Sequence, residues 1–148
     1  DRERLWQARH NAYYAGKSLR KGCEGVVTDC CVPISALADC IARTKELIAE
    51  SGLIAPIVGH VGDGNYHLLI LIDPDNADEI ARAKQLASDV NRTALSFGGT
   101  VTDEHGVGTG KKKYMVEEHG EAYLLMAQLK QSIDPLNIMN PGKLVSVN

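Results

Sequence analysis

Two histidines flank a turn in Gly59-His60-Val61-Gly62-Asp63-Gly64-Asn65-Tyr66-His67. Asp63-Gly64 is a hairpin-turn dipeptide, because both central residues of a type I′ turn need positive φ. Apolar, β-branched runs lie on either side, Leu53 to Val58 and Leu68 to Ile72, and read as strands. A turn centred between Asp63 and Gly64 pairs Gly62 with Asn65, Val61 with Tyr66 and His60 with His67. On one continuous strand two residues seven apart would point to opposite faces, so the turn is what joins them. Directly opposed residues have Cβ atoms roughly 5 Å apart, close enough for two imidazoles to share a metal ion. The same pair also reads as two satisfied histidines on a solvated sheet face.

A second group of polar residues follows in Glu104-His105-Gly106-Val107-Gly108. A carboxylate delivered from this turn would complete a set of two histidines and one carboxylate with His60 and His67. Such a set suits a divalent ion with an open position, zinc foremost, with manganese and iron also compatible. Neighbouring side chains on a strand diverge, so a metal-facing Glu104 sends His105 elsewhere unless the backbone turns, and Gly106 makes that turn easy. The plain alternative is a loop decorated by Glu104 and His105. Gly106-x-Gly108-x-Gly110 before Lys111-Lys112-Lys113 hints at a phosphate at a helix start, but the spacing is not GxGxxG and no βαβ unit follows. Arg9 is the third polar residue of interest. Leu5, Arg9 and Tyr13 fall at i, i+4 and i+8 with Trp6 beside them, so Arg9 lies on an apolar, aromatic stripe. It either snorkels or pairs internally, or its guanidinium fork reads a substrate carboxylate.

The elements that must hold these residues follow from periodicity and punctuation. A helix over Arg2 to Ala15 ends near Gly16, and a loop runs to Gly25. Val26 to Pro33 is a short strand, and Ser35 opens a helix to about Ser51, with Leu37, Ile41, Thr44 and Ile48 inward and Gly52 closing it. After the hairpin, Pro74-Asp75 opens a long helix facing inward through Ile80, Ala83, Ala87, Val90 and Ala94, and Gly98-Gly99 stops it. Thr100 to Asp103 reads as a further sheet segment. Lys111 to Glu118 and Glu121 to Ser132 are two closing helices split by Gly120, and Asp134 to Lys143 is an ordered strap. The pattern is α+β: an antiparallel sheet with helices packed on one face, leaving the histidine face open or covered by something outside this chain.

At 148 residues the chain is one domain with room for a real core. A net charge of −3 without a basic stripe excludes nucleic acid as the expected partner, and no apolar run reaches transmembrane length. Asp1 in place of methionine marks a processed chain or a piece of a longer one. Cys23, Cys30, Cys31 and Cys40 lack CxxC spacing and read as reduced, mostly buried thiols.

Together these motifs, with Leu5-Trp6 and Arg9, Thr28-Asp29 through Val32-Pro33, Asp134-Pro135-Leu136-Asn137 and Asn140-Pro141-Gly142-Lys143, resemble the C-terminal part of the FAD-linked oxidases. That family includes D-lactate dehydrogenase, the glycolate oxidase flavin subunit and D-2-hydroxyglutarate dehydrogenase. The resemblance covers nearly the whole chain and implies a ferredoxin-like cap-type domain, residues 1–148 being the latter part of the substrate-binding cap of a two-domain flavoenzyme. By the same resemblance His60, His67 and Glu104 hold the metal, His105 is the catalytic base and Arg9 binds the substrate carboxylate. The 134–148 strap reaches toward the flavin, with Asn140 a cofactor contact. FAD itself is bound by an upstream domain, so the chain alone turns nothing over.

Where 2-hydroxyglutarate enzymes place an asparagine two residues after the second histidine, this chain has Leu69; where they place a threonine four residues after the arginine, it has Tyr13. Both changes remove small polar groups and favour a short substrate such as lactate or glycolate. The expectation is oxidation of a short D-2-hydroxy acid to the 2-oxo acid, in the cytoplasm, peripheral to a membrane, or in the mitochondrion of a eukaryote. Cut from its upstream part, the chain should pair with a second copy as a homodimer. Two rivals stand beside this reading: a metal-dependent hydrolase, and a metal-binding or dimerisation module without activity.

Overall fold

The alternating run Asn65–Ile72 forms the long strand through the middle of the sheet. The computed structural model describes residues 1–146. In chain order they form α1 (Arg2–His10), α2 (Ala12–Lys17), β1 (Glu24–Val27), β2 (Cys30–Cys31), α3 (Leu37–Ser51), β3 (Ile57–His60), β4 (Asn65–Ile72), α4 (Ala77–Ser96), α5 (Met115–His119) and α6 (Ala122–Ile133). Short 3-10 turns at Ile34–Ala36 and Lys112–Tyr114 precede α3 and α5. The architecture is α+β with an open antiparallel sheet, as the sequence pattern implies.

β4 pairs on one edge with β1 and then β2, and on the other with β3. Glu24 opposes Ile72, Val27 opposes Leu69 and Cys30 opposes Tyr66, so β1 and β2 share one register and are a single lane interrupted at Thr28-Asp29. Side chains alternate along β4. Tyr66, Leu68, Ile70 and Ile72 face α3 and α4 and are the centre of the main core. Burying a side chain such as Leu68 or Ile70, both at 0 % exposure, contributes about 1.5–3 kcal/mol. The other set, Asn65, His67, Leu69 and Leu71, faces the opposite side. There α2 packs against the sheet through Gly16, where an added Cβ would lie 2.8 Å from Leu69 Cδ2.

α3 presents Leu37, Cys40, Thr44 and Leu47 to the core at helical spacing and ends on Gly52 at φ +64°. α4 starts on Asn76, whose side-chain oxygen accepts the N–H groups of Asp78 and Glu79, a cap worth about 1 kcal/mol. Tyr66 Oη lies 3.2 Å from Cys40 Sγ and 3.1 Å from Thr44 Oγ1, which satisfies the one polar atom of the core face of β4. The four cysteines are free, and burial, helped by neighbouring Cys40, pushes the Cys30 thiol up to about 12.

Four local expectations are corrected. The hairpin register is shifted by two: His60 opposes Asn65 and Val58 opposes His67. The loop is the four residues Val61–Gly64, closed by an Asp63 N–H to His60 carbonyl bond, with only Gly64 at positive φ. A two-residue turn at Asp63-Gly64 would drive Gly64 away from the neighbouring lane, whereas here its carbonyl accepts the Val32 N–H. The first helix is broken at Asn11, and Val26 to Pro33 is interrupted at Thr28-Asp29. Of Thr100 to Asp103, only Thr100 pairs, in an isolated bridge to Cys31.

Past α6 the chain turns on Asp134, which accepts the N–H groups of Ile138 and Met139 and the ammonium of Lys130. The strap then runs back to Gly108, whose carbonyl accepts the Leu144 N–H. Its last two residues, Val147 and Asn148, lie outside the described residues.

Gly64 is held by geometry on two counts: φ is +78°, and a Cβ would fall 2.1 Å from the Val32 carbonyl oxygen. Gly64→Ala should therefore cost about 2 kcal/mol or more in denaturant unfolding, and Gly62→Ala, whose Cβ meets open space, less than about 0.5 kcal/mol. Equal costs at the two positions would refute the close approach of the hairpin to the neighbouring lane.

The Lys130 ammonium, opposed by partial desolvation and aided by the Met139 and Ile138 N–H groups, holds the Asp134 carboxyl below its ordinary range. A lowered carboxyl contributes its anchoring in full above the ordinary value of about 3.9 and loses it as pH falls through the lowered value. Carboxyl NMR should show Asp134 titrating below that ordinary value. A midpoint at or above it would mean that the strap is not tied in this way.

Candidate active site

The site forms where the interrupted lane and the hairpin meet on the outer face of β4. At Thr28 the ladder departs from its regular pattern. The Thr28 N–H still donates to the Leu68 carbonyl at 3.0 Å, but the Leu68 N–H is taken by Thr28 Oγ1 at 2.9 Å. The freed Thr28 carbonyl accepts Nδ1–H of His67 at 3.0 Å. This bond sets the tautomer, leaving the Nε2 lone pair of His67 aimed at Glu104 Oε1, 3.1 Å away.

His105 stacks on His67, with ring centroids 5.1 Å apart and planes 7° from parallel, and its Nε2 lies 3.5 Å from Glu104 Oε1. Asp29, His67, Glu104 and His105 each offer a donor atom, all within 4.8 Å of one another. Donors on one tetrahedral zinc ion at about 2.0–2.1 Å stand roughly 3.3 Å apart. The separations of His67 and His105 from Glu104 Oε1, 3.1 and 3.5 Å, match that requirement, and the chemistry of the set is the nitrogen-and-carboxylate mixture that zinc takes.

His60 shares the outer face with His67, the two rings 6.0 Å apart edge to face, although the two residues are diagonal rather than opposed. It lies outside the tight group. Arg9 Nη2 rests against its ring, hydrogen-bonding Nδ1 and lying 3.1 Å from Nε2. The Arg9 guanidinium also stacks over Trp6 at 5.2 Å. Both α1 and α2 thus lean over the histidine face. Between them and the sheet lies an open cavity of about 390 Å³, with Arg9, His10, His60, His67, Glu104 and His105 among its polar groups and Ala12, Val27, Val58, Leu69 and the ring of Tyr13 as its apolar wall. Three elements (α1, β3 and β4) and one loop therefore bring five of the six expected residues to one cavity. Asn140 lies elsewhere, at φ +48° beside a second cavity of about 570 Å³ lined by Lys130, Asp134 and Lys143.

Sequence reasoning missed the residues that support this group. Asp29 is fully buried and accepts N–H groups of Asp103, Glu104 and His105, and Lys111 Nζ at 3.3 Å. Burial alone would raise its carboxyl, but the His105 N–H and the Lys111 ammonium outweigh it and hold the group low. Asn65 bridges Asp29 Oδ1 at 3.2 Å and Asp103 Oδ2 at 3.0 Å. Lys111, a member of the glycine-lysine run, is spent on Asp29 and not on a phosphate. The one available signal was a charged residue inside the otherwise uncharged strand run from Val26 to Pro33.

With this geometry in hand, comparison with known proteins decides the family. The model of the FAD-linked oxidases, C-terminal domain, matches residues 1–144. The chain belongs to that family. It is 48 % identical over 147 residues to the "Probable D-lactate dehydrogenase, mitochondrial" of Danio rerio, covering 99 % of this chain and 30 % of the relative. It is 43 % identical over 145 residues to "D-lactate dehydrogenase [cytochrome], mitochondrial" of Arabidopsis thaliana, covering 97 % and 26 %. Against "Glycolate oxidase subunit GlcD" of Bacillus subtilis it is 35 % identical over 141 residues, covering 95 % and 30 %. This FAD-linked oxidase domain therefore spans between about a quarter and a third of the length of these relatives.

The ladder exchange at Thr28 makes a checkable statement about His67. In the metal-free FAD-linked oxidase domain, nitrogen-15 NMR should report neutral His67 as the Nδ1–H tautomer. The opposite tautomer would point a proton at the Glu104 side and refute the bond from His67 Nδ1–H to the Thr28 carbonyl.

Proposed function

We propose that this domain is the substrate-binding portion of an FAD-dependent D-2-hydroxy-acid dehydrogenase of D-lactate or glycolate type, assisted by a divalent metal, zinc first. The observation that carries the proposal is the convergence of Arg9, His60, His67, Glu104 and His105 on one cavity beneath α1 and α2. When bound, the two absent groups supply a Lewis acid for the substrate hydroxyl, from the ion, and a hydride acceptor, from FAD.

The chain's own residues do the rest. Arg9, a fork of donors above the cavity, takes the substrate carboxylate and orients the α-carbon. His105 removes the hydroxyl proton, leaving the 2-oxo acid after loss of hydride. Leu69 and the ring of Tyr13 line the cavity with apolar surface and bring neither the asparagine nor the threonine of the 2-hydroxyglutarate enzymes, which favours a short monocarboxylate.

His67 and Glu104 are the metal donors in either arrangement of the site. The preferred third donor is His60, on the same face, with His105 free as base. A second reading rests on the tight grouping of His105 with His67 and Glu104 while Arg9 occupies His60. Metal content separates them: His60→Ala should lose the ion under the first reading, His105→Ala under the second.

Among the described residues no helix is long and apolar enough to cross a membrane. The relatives' names support a mitochondrial location if the source is a eukaryote. Leu5, Leu124, Ile133, Leu136 and Ile138 are exposed apolar side chains on α1, α6 and the strap. We assign this surface to contact with an upstream FAD-binding domain, with the strap and Asn140 toward the flavin; alone, the chain would pair with a second copy through it.

In the full-length protein, anaerobic D-lactate or glycolate should reduce the flavin, and chelation should slow that reduction. His105→Ala should lower kcat about 100-fold or more, and Arg9→Ala should mainly raise KM, about 10-fold or more. Unchanged 2-hydroxy-acid kinetics in both variants would overturn the assigned roles, and hydrolytic turnover without flavin would favour the hydrolase.

A further inference from the structure

We propose that Asp29 is the positioning residue of this site: it holds the Glu104-His105 loop against the His67 side of the sheet through three successive backbone N–H groups. It is 0 % exposed and does not line the substrate cavity, so it acts through other residues and not on substrate. Its Oδ2 accepts from the N–H of Asp103 at 3.0 Å, Glu104 at 3.2 Å and His105 at 2.9 Å, and from Lys111 Nζ at 3.3 Å. Its Oδ1 accepts from Asn65 Nδ2 at 3.2 Å and lies 3.7 Å from His67 Nδ1. Both oxygens are therefore committed to donors of the protein, which separates Asp29 from Glu104 although both belong to the same 4.8 Å group.

The loop needs such an anchor. Between Thr100 and the 3-10 turn at Lys112 it has neither helix nor strand, and the side chains of Glu104 and His105 are about half exposed. Gly106 at φ +75° lets the chain turn away immediately after the three N–H groups converge, so the carboxylate sits in a backbone nest of the kind that binds anions elsewhere. The neighbouring residue completes the arrangement, since the Thr28 carbonyl fixes His67. One two-residue break in a strand lane thus sets both sides of the site. Catalytic groups must be held within about 0.5 Å to work, and a half-exposed loop without this anchor would not meet that tolerance.

This inference rests on the site reading above for its metal arm and is independent of it for its exchange arm. The test uses the full-length protein with Asp29→Asn, which keeps the shape and removes the charge, and with Asp29→Ala. Hydrogen–deuterium exchange over residues 103–105 should rise about 10-fold or more in Asp29→Ala and by less in Asp29→Asn. Exchange over β4 should stay near wild type. Titration with Co²⁺, followed by its visible absorption, should show affinity reduced about 10–100-fold. The turnover rate should fall while KM for the 2-hydroxy acid stays within about twofold, because Arg9 is untouched.

If Asp29→Ala does not fold, Asp29→Asn carries the same comparison. Equal acceleration at 103–105 and over β4 would reduce Asp29 to a general stabiliser and overturn the proposal, as would wild-type exchange at 103–105. Should the wild-type protein bind no Co²⁺, the metal reading fails and the exchange comparison alone decides the role of Asp29.

Discussion

The structure depends on β4 being paired on both edges with its side chains in strict alternation. Tyr66, Leu68, Ile70 and Ile72 point into the helix-covered core; Asn65, His67, Leu69 and Leu71 point to the other face. A slip of one residue would exchange these sets, placing His67 and Asn65 in an apolar core and Leu68 and Ile70 on the site face. The register is secured by the lane of β1 and β2 on one side and by β3 on the other. Core stability and site geometry are therefore two consequences of one pairing.

Against that rigid strand, the site is made from a local defect. A regular antiparallel lane through Thr28-Asp29 would spend the Thr28 carbonyl on Leu68. Substituting Oγ1 of Thr28 for that carbonyl keeps the buried Leu68 N–H satisfied and releases an acceptor for His67. The adjacent carboxylate of Asp29 is then free to gather the loop of Asp103, Glu104 and His105. A small polar residue followed by an acid is what such an exchange requires, since an apolar pair would return the carbonyl of residue 28 to Leu68 and leave His67 and the loop amides without these acceptors.

The distribution of exposed apolar surface matches a domain that works as part of something larger. α1 and α6 bury no residue within this chain, yet carry Leu5, Trp6, Leu124, Leu125 and Leu129. The strap after Asp134 adds Leu136, Ile138 and Met139. The interior is complete between the sheet and α3 and α4, whereas the periphery that roofs the cavity is only lightly held. Arg9 resting on His60 in that roof fits a cavity whose polar groups pair with one another until another ligand competes for them.

Much of this was legible in the sequence because it is local or periodic. The strand runs, the helices of Leu37–Ser51 and Ala77–Ser96, the glycine stops at Gly52 and Gly120, and the sharing of one face by His60 and His67 all follow from short-range patterns. The motifs also sufficed to place the chain among the FAD-linked oxidases. The hairpin register was not legible, because Asp63-Gly64 satisfies a two-residue turn locally. The four-residue loop is chosen instead by the contact of Gly64 with Val32, which lies more than thirty residues away in sequence. Nor was the grouping of His67 with Glu104 and His105, or the part played by Asp29. Asp29 is separated from its loop partners by more than seventy residues, and a buried carboxylate leaves no periodic trace. Short-range chemistry determined which elements form and which residues could react; only the packing of distant lanes decided which of those residues meet.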